Sequence, residues 1–378
     1  MAKIKIGKSK EKNKKYKEGL TKNLFGEDSL EFLKKYLGNP SPSGHEREGQ
    51  RIWAKAIKPY VDEIRADNYG NVIATINPGK DSNVVVEAHS DEIGWCVKYI
   101  SSEGFIFVEK IGGSDVLVAP GKEVNIHTTN GTVKGVFGCT ATHIRRSDYV
   151  PKINTIFIDV GVLTSNKVKE LGIEIGDPIT FSSDVSFLEN RVYGRGLDIR
   201  IGGFMLIEIA KMIREENIEL PYTLNIVNAV QEEVGKNGAK MIAESLKPCV
   251  AIVTDVTHDT STPLISSPSK GDFKVTRGPV LNHSPLIQKT LLEKVKSIAH
   301  DNDIKYQKKA SNKVTGTDAD VFATSNGGIP TCLISLPMRY MHTPVEMVAK
   351  QDIKNTTLLM YLTLINIKPD MTFYDLDI

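Results

Sequence analysis

The chain has 378 residues, of which 40% are hydrophobic and 25% are charged. This is an ordinary globular composition, and a net charge of only +2 gives no electrostatic footprint for nucleic acid. No stretch approaches the roughly 18 apolar residues that a membrane span requires, so we expect neither a nucleic-acid nor a membrane partner. The length predicts two domains, or one domain that carries a large insertion.

A lysine-rich run opens the chain. Between Lys3 and Lys17 there are eight lysines and one acid, Glu11. We expect residues 1–24 to form a basic flexible tail, and no apolar segment follows that would make a signal peptide. The four cysteines are scattered without zinc-ribbon or dense disulfide spacing, which predicts buried free thiols in a cytoplasmic protein.

The pattern of the chain changes near residue 97. Before it we predict two amphipathic helices, a hairpin and a buried strand, at 29–37, 46–61, 63–66 with 72–76, and 83–88. After it, short β-branched segments recur between turn signals, at 105–109, 123–127, 132–136, 155–160 and 178–181. This spacing predicts a small β-barrel or sandwich inserted into a larger domain.

From Gly202 onward, helices alternate with apolar strands. The predicted helices are at 204–216, 238–246, 284–300 and 353–367, and the predicted strands are at 224–230, 250–254 and 331–336. Such alternation predicts a mixed or mostly parallel sheet with helices on both faces. The expected fold class is α/β, a mixed-sheet α/β/α domain at 25–96 and 192–378 with an inserted β-barrel domain at 97–191.

Histidines and acids follow the predicted strands. The residues in these positions are His89, Asp91, Glu232, Glu233, Asp255 and His342. In open α/β sheets the carboxyl ends of the strands form the edge where ligands bind. We therefore expect these side chains to lie close together in a site.

Each pair in this set has two interpretations. His89 can ligate a divalent metal while Asp91 accepts its other ring proton, or it is a hydrogen-bonded histidine at a strand end. Adjacent carboxylates such as Glu232 and Glu233 repel unless a cation neutralises them. One then ligates the metal and the other is a general base on the metal-bound water, or both are exposed acids at a helix N-terminus.

The remaining candidates are equally ambiguous one by one. Asp198 can bridge two metals through its two oxygens or cap a helix, and Asp255 is either a ligand or a cap. A lone histidine such as His342 is more often a core or surface residue than a ligand. Together, two histidines and several carboxylates at strand ends predict a two-metal hydrolase that uses zinc, cobalt or manganese.

Six ordered segments resemble the M42 family of metallo-aminopeptidases, the tetrahedral or glutamyl-aminopeptidase-like group whose members have also been labelled endoglucanases. The segments are Ala88-His-Ser-Asp-Glu-Ile-Gly94, Leu197-Asp-Ile-Arg200, Gln231-Glu-Glu-Val-Gly235, Thr254-Asp-Val256, Gly316-Thr-Asp-Ala319 and Arg339-Tyr-Met-His-Thr-Pro344. The resemblance extends over about residues 29–369 and implies an α/β catalytic domain with an inserted barrel-like domain.

The resemblance also implies a role for each matching residue. Asp198 would bridge two metal ions. His89 and Asp255 would complete one ion, and Glu233 and His342 the other. Glu232 would be the general base that activates a bridging water, with Asp91 as the partner of the His89 ring.

The resemblance further implies peptide substrates and dimers, paired through the inserted domain, that assemble into a hollow dodecamer. The chain departs from the family at Ile199, where an acid or amide often follows the bridging aspartate. It also has Thr315-Gly316 in place of a Gly-Gly pair, and its lysine-rich tail has no counterpart.

Three other functions fit parts of the pattern. Carboxypeptidases and N-deacylases of related two-metal families also use paired glutamates. A glycosidase would need two carboxylates and no metal, which the histidines argue against. A catalytically inactive assembly protein of the same fold would lack a ligand or the base, and here all of them are present.

Overall fold

A computed structural model describes residues 19–374 of the chain. The lysine run between Lys3 and Lys17, and with it residues 1–18 of the predicted tail, lies outside the described residues. Within residues 19–374, no helix combines the length and the apolar character that crossing a bilayer requires.

Seventeen strands form two sheets in the described part of the chain. They are β1 (Glu63–Ala66), β2 (Val72–Ile76), β3 (Asn83–His89), β4 (Gly94–Ile100), β5 (Ile106–Ile111), β6 (Glu123–Thr128), β7 (Gly131–Phe137), β8 (Phe157–Asp159), β9 (Pro178–Phe181), β10 (Ser186–Phe187), β11 (Arg191–Gly194), β12 (Thr223–Ala229), β13 (Val250–His258), β14 (Val280–His283), β15 (Gln307–Ala310), β16 (Thr331–Arg339) and β17 (Glu346–Ala349).

The larger sheet is mixed, with a parallel centre. Its strand order is β1-β2-β12-β3-β13-β16-β17-β11-β10, with β14 beside β16 and β15 beside β14. The four central strands β12, β3, β13 and β16 are parallel to one another. They are buried along almost their whole length, as expected for strands that helices cover on both faces.

Helices pack on both faces of this sheet. Besides the helical residues 19–22, the helices of four or more residues in the described part of the chain are α1 (Glu27–Gly38), α2 (Arg47–Ile57), α3 (Ser165–Glu170), α4 (Arg200–Glu215), α5 (Asn237–Leu246), α6 (Ser267–Lys270), α7 (Lys289–Asp301), α8 (Ala319–Thr324) and α9 (Lys350–Leu364). Helix α4 is buried over most of its length and packs on β3 and α9. Gly202 allows this close approach, because a Cβ there would lie 2.7 Å from the Cβ of Ala88.

The smaller sheet closes into a barrel in the order β4-β5-β8-β7-β6-β9. Closure leaves no free strand edge. Its core is apolar, and the Trp95 and Phe137 rings meet edge to face with centroids 5.3 Å apart. Because the barrel interrupts the α/β pattern between β3 and β11, the predicted fold class is confirmed.

A buried ion cluster lies where the chain passes from the large sheet into the barrel and where it returns. Glu92 lies just before β4, and Arg195 and Arg200 lie just after β11. Arg195 Nη1 donates to Glu92 Oε1 and Oε2 at 2.5 and 2.6 Å, and Arg200 Nη1 lies 3.3 Å from Oε1. All three side chains are buried, so the connection is held by charges that water does not screen.

Some local predictions were wrong. Strand β13 continues to His258, so Asp255 lies inside a strand and not after one. The polar strand β15, with the sequence QKKA, carries no apolar alternation and was not predicted. Cys139 and Cys249 are exposed thiols, whereas Cys332 is buried as expected.

Candidate metal centre

The parallel strands bring the predicted site residues to one edge of the sheet. His89 ends β3, Glu232 and Glu233 follow β12, Asp255 lies in the last half of β13, and His342 follows β16. Asp198 enters from the turn between β11 and α4. All six side chains line one cavity of about 240 Å³, so the tertiary fold gathers residues that are up to 253 positions apart.

Asp198 lies between the two histidines. Its Oδ1 is 3.7 Å from His89 Nε2, and its Oδ2 is 3.3 Å from His342 Nε2. Glu233 Oε1 is 3.5 Å from the same His342 nitrogen, and donor atoms of His89, Asp198 and Glu233 all lie within 4.8 Å of one another. Each carboxylate oxygen of Asp198 thus faces a different imidazole, as a carboxylate shared by two cations would.

Asp91 lies behind these ligands and contacts three of the candidates. Its carboxylate accepts hydrogen bonds from the backbone amides of Glu232 at 3.0 Å and Glu233 at 3.1 Å, and from Ser43 Oγ at 2.6 Å. The Nδ1 of His89 is 3.1 Å from the backbone oxygen of Asp91 and 3.5 Å from its Oδ1. One buried acid therefore orients both the imidazole and the glutamate pair.

Glu346 is a second buried carboxylate with an orienting role, which the sequence did not reveal. Its Oε2 accepts from the amides of Leu197 at 2.8 Å and Asp198 at 3.2 Å, and its Oε1 accepts from the amide of His342 at 2.8 Å. A single side chain thus ties together the two loops that carry Asp198 and His342. The only signal in the sequence was its position four residues after His342.

A backbone oxygen of the barrel domain also contacts a site residue. His342 Nδ1 lies 3.2 Å from the backbone oxygen of Gly113. A hydrogen bond from Nδ1–H to this carbonyl leaves Nε2 unprotonated and free to ligate. A Cβ at position 113 would lie 2.6 Å from the imidazole ring, so only glycine allows this contact. His342 itself has a φ of 61°, a conformation that is rare outside glycine and common at functional sites.

The site holds four acids, Asp198, Glu232, Glu233 and Asp255, against the two histidines His89 and His342. Burial, together with nearby acids such as Asp255, raises the pKa of Glu232 to about 9, and burial and Asp198 raise that of Asp255 to about 8. Behind them, Glu87 and Asp318 are buried side by side, and burial and Asp318 hold the pKa of Glu87 well above its ordinary value. Crowded buried carboxylates of this kind are stable when cations neutralise them, and the imidazole and carboxylate donors suit divalent zinc, cobalt or manganese.

The rest of the cavity lining comes from residues that the sequence analysis did not name as site residues. They are Val256, Thr257, His258, Lys309, Thr315, Gly316, Thr317 and Met341. Lys309 was missed because β15 was not predicted, and because a lysine beside two other polar residues is usually solvent-exposed.

A parallel α/β sheet with imidazole and carboxylate donors at its carboxyl edge defines a candidate metal-binding hydrolase, and comparison with known proteins gives the family. The family model described as M42 glutamyl aminopeptidase matches residues 70–359. The lysyl aminopeptidase of Pyrococcus furiosus is 33% identical over 90% of this chain and 97% of its own length.

Two solved structures show the same architecture. A TET aminopeptidase from the marine sediment archaeon Thaumarchaeota archaeon SCGC AB-539-E09 is 29% identical, with a TM-score of 0.85 over 90% of this chain and 98% of its own. The TET1 peptidase of Pyrococcus horikoshii is 30% identical, with a TM-score of 0.80 over 90% of this chain and 100% of its own. The chain belongs to the M42 aminopeptidase family, and it is a hydrolase that acts on peptides.

Proposed function

We propose that the protein is a two-metal aminopeptidase that removes single residues from the free N-terminus of peptides. The observation that carries this proposal is the position of Asp198, whose two oxygens face His89 and His342 separately. A mononuclear site would need only one of these contacts. Family membership supports the activity but does not fix the number of metal ions.

In this proposal, the ligands divide into two sets around Asp198. His89 and Asp255 would hold one ion, and Glu233 and His342 the other, with zinc or cobalt as the expected metals and manganese as a further candidate. When bound, two such ions supply an acidified water and a Lewis acid for the scissile carbonyl. Asp91 and Glu346 keep the ligands oriented through the backbone contacts described above.

Glu232 would act as the general base and acid. It lines the same cavity as the ligands, and Asp91 fixes its backbone amide. Its pKa is raised by burial and by the surrounding carboxylates, and cations bound to those carboxylates would reverse part of that rise. Glu232 then takes a proton from the attacking water and returns it to the leaving amine. A free substrate ammonium would bind beside this acidic cluster.

We also propose that the chain forms a homo-oligomer through the inserted domain at 97–191, with dimers that build a dodecamer. The P. horikoshii relative can assemble into a tetrahedron or an octahedral shell, according to its description. Large apolar side chains are exposed on the barrel domain here, among them Leu117, Ile144, Leu163 and Ile175, each at least 60% exposed. Contiguous apolar surface marks protein interfaces, and these side chains are the candidates for such a contact. Light scattering would distinguish a dodecamer from a dimer.

Four free thiols further support a reducing, cytoplasmic location, which we also propose.

The activity is tested by amino-acid release from matched free and N-acetylated peptides, with zinc, cobalt, manganese or chelator added. We expect stepwise release from free N-termini, its loss with chelator and its recovery with metal. Release only from blocked peptides would identify a deacylase, and release from the C-terminus a carboxypeptidase. Either result would refute the aminopeptidase proposal.

A further inference from the structure

The turn that carries Glu232 and Glu233 closes at Lys236, just before α5. The backbone oxygen of Glu232 accepts hydrogen bonds from the amides of Gly235 at 3.0 Å and Lys236 at 2.9 Å. Lys236 has a φ of 60°, a left-handed conformation that is uncommon for residues other than glycine. The backbone of Lys236 is therefore bound directly to the residue that we propose as the base.

The side chain of Lys236 joins this turn to helix α8. Its Nζ lies 3.3 Å from Oδ2 of Asp320, and α5 and α8 pack on each other. The two side chains are only 24% and 9% exposed, so salt screens this ion pair less than it screens a fully exposed pair. The pair links two segments of the chain that are 84 positions apart.

Asp320 also binds a segment that lines the cavity of the candidate site. Its Oδ1 accepts hydrogen bonds from the amide and the hydroxyl of Thr315, both at 2.7 Å, and its Oδ2 accepts one from the amide of Gly316 at 2.9 Å. Thr315, Gly316 and Thr317 line the same cavity as Glu232. The hydroxyl contact depends on Thr315, because a glycine at this position would offer only its amide.

These contacts are separate from those that orient the candidate metal ligands. Asp91 and Glu346 bind the backbone of the ligand segments, as described above. Among residues 19–374, the side chains of Lys236 and Asp320 make no hydrogen bond or ion pair with a candidate ligand. Burial raises the pKa of Asp320, but its amide and hydroxyl donors and Lys236 outweigh burial and hold the pKa below the ordinary value of 3.8. Both members of the pair are therefore charged at neutral pH.

We propose that Lys236 and Asp320 are a positioning pair, which fixes the turn of the base Glu232 relative to the cavity segment 315–317. Neither side chain takes part in proton transfer. A displacement of about 1 Å at a reacting group can cost about 10²-fold in rate, so loss of the pair should slow the reaction while the metal ligands stay in place. The inference rests on the proposed aminopeptidase function and adds two residues that act through its base.

The test is a double-mutant cycle on the zinc-loaded enzyme. Wild type, Lys236→Met, Asp320→Asn and the double variant are compared on one peptide with a free N-terminus. We expect each single variant to lower kcat by about 10-fold, which is within the range of coupling between contacting residues. The double variant should be no slower than the slower single variant, because the same contact is broken in all three. Effects that multiply in full would show that the two residues act independently and would overturn the pair.

Two further variants separate the charge of Lys236 from its place in the chain. Lys236→Arg keeps a cation within reach of Asp320 and should recover most of the wild-type kcat. Lys240→Met is the matched control and should behave as the wild type, since Lys240 lies one turn further along α5 and is exposed. A Lys236→Arg variant as slow as Lys236→Met would overturn a role for the ion pair.

Two measurements do not depend on turnover. Zinc affinity, from competition with a chromogenic chelator, should match the wild type in every variant. Hydrogen exchange at the amides of Thr315 and Gly316 should be faster in metal-free Asp320→Asn than in metal-free Lys240→Met, because Asp320 holds these amides. A fall in kcat that follows a loss of zinc affinity, or unchanged exchange at the two amides, would overturn the positioning role.

The two proposals fail in different ways. An unchanged kcat in Lys236→Met and Asp320→Asn would overturn the positioning pair while leaving the aminopeptidase intact. If the wild type releases no residue from any free peptide under zinc, cobalt or manganese, both the proposed function and this inference are wrong.

Discussion

The barrel and the carboxyl edge of the large sheet bury opposite kinds of side chain. Between residues 94 and 191, the buried polar side chains are Ser114 and Thr180, and neither ionises. The sheet edge buries Glu87, Asp91 and Glu346 together with the candidate ligands His89, Asp198 and Asp255. Burying charge is costly without compensation, so its concentration in one place marks the functional site, whereas the barrel is held mainly by apolar packing.

Of all these changes, removing the proposed base at the sheet edge should have the largest effect, and that effect is on activity. We expect Glu232→Gln to lower kcat by about 10²- to 10⁴-fold, since general acid–base catalysis contributes that much. Metal content, measured by atomic emission, should stay normal. Glu244→Gln, an exposed acid on α5, is the control and should retain activity. Full activity in Glu232→Gln would exclude the role assigned to Glu232.

Breaking the ion cluster between barrel and sheet should have the next largest effect, which is on the free energy of unfolding. Glu92→Gln leaves Arg195 and Arg200 buried without an anion, and loss of one partner of a buried pair costs about 3–5 kcal/mol. The midpoint of urea unfolding should fall accordingly. Glu109→Gln breaks the exposed barrel pair with Lys98 and should change nothing measurable. An unaffected Glu92 variant would show that the cluster does not hold the two regions together.

The stability lost in Glu92→Gln should also depend on pH. Burial raises the pKa of Glu92, but Arg195 and Arg200 outweigh it and hold the pKa below the ordinary value of 4.5. The stabilisation is therefore fully present above pH 4.5 and is lost as the pH falls through the folded-state value. The stability difference between wild type and Glu92→Gln should be constant at neutral pH and shrink in acid. A difference that grew in acid would contradict the depressed pKa.

A smaller effect is expected where a carboxylate only orients the ligands. The single amide oxygen of Glu346→Gln cannot accept all the hydrogen bonds that Leu197, Asp198 and His342 donate to Glu346. Loss of such orienting contacts typically weakens metal affinity by about 10- to 100-fold. Competition with a chromogenic chelator measures this. Unchanged affinity in a folded variant would mean that the ligand loops hold their positions without Glu346.

The barrel core should respond least and only in stability. Ile158 is fully buried there, and Ile158→Val removes one methylene group at a cost of about 0.5–1.5 kcal/mol. We expect a slightly lower melting temperature and an unchanged kcat/KM. A clear loss of turnover would mean that barrel packing controls the site through the contact between Gly113 and His342.

Much of the architecture could be predicted because the relevant signals are local. The hairpin strands β1 and β2 were predicted at the bounds that the structure gives them. The apolar runs of β3, β12 and β16 also identified their strands. Strands without such a pattern, such as β15, were missed, because pairing with β14 and not local sequence makes them strands.

The sequence by itself determined which residue types stand at the strand ends. Because a parallel sheet must bring those ends to one edge, their proximity could be predicted as well. The tertiary structure alone decided their geometry. It placed Asp198 between His89 and His342, used Glu346 to tie two distant loops, and brought Gly113 from the barrel against a ligand ring. It also brought Lys309 into the lining of the same cavity. These contacts join residues far apart in the chain, and no local pattern encodes the distance between them.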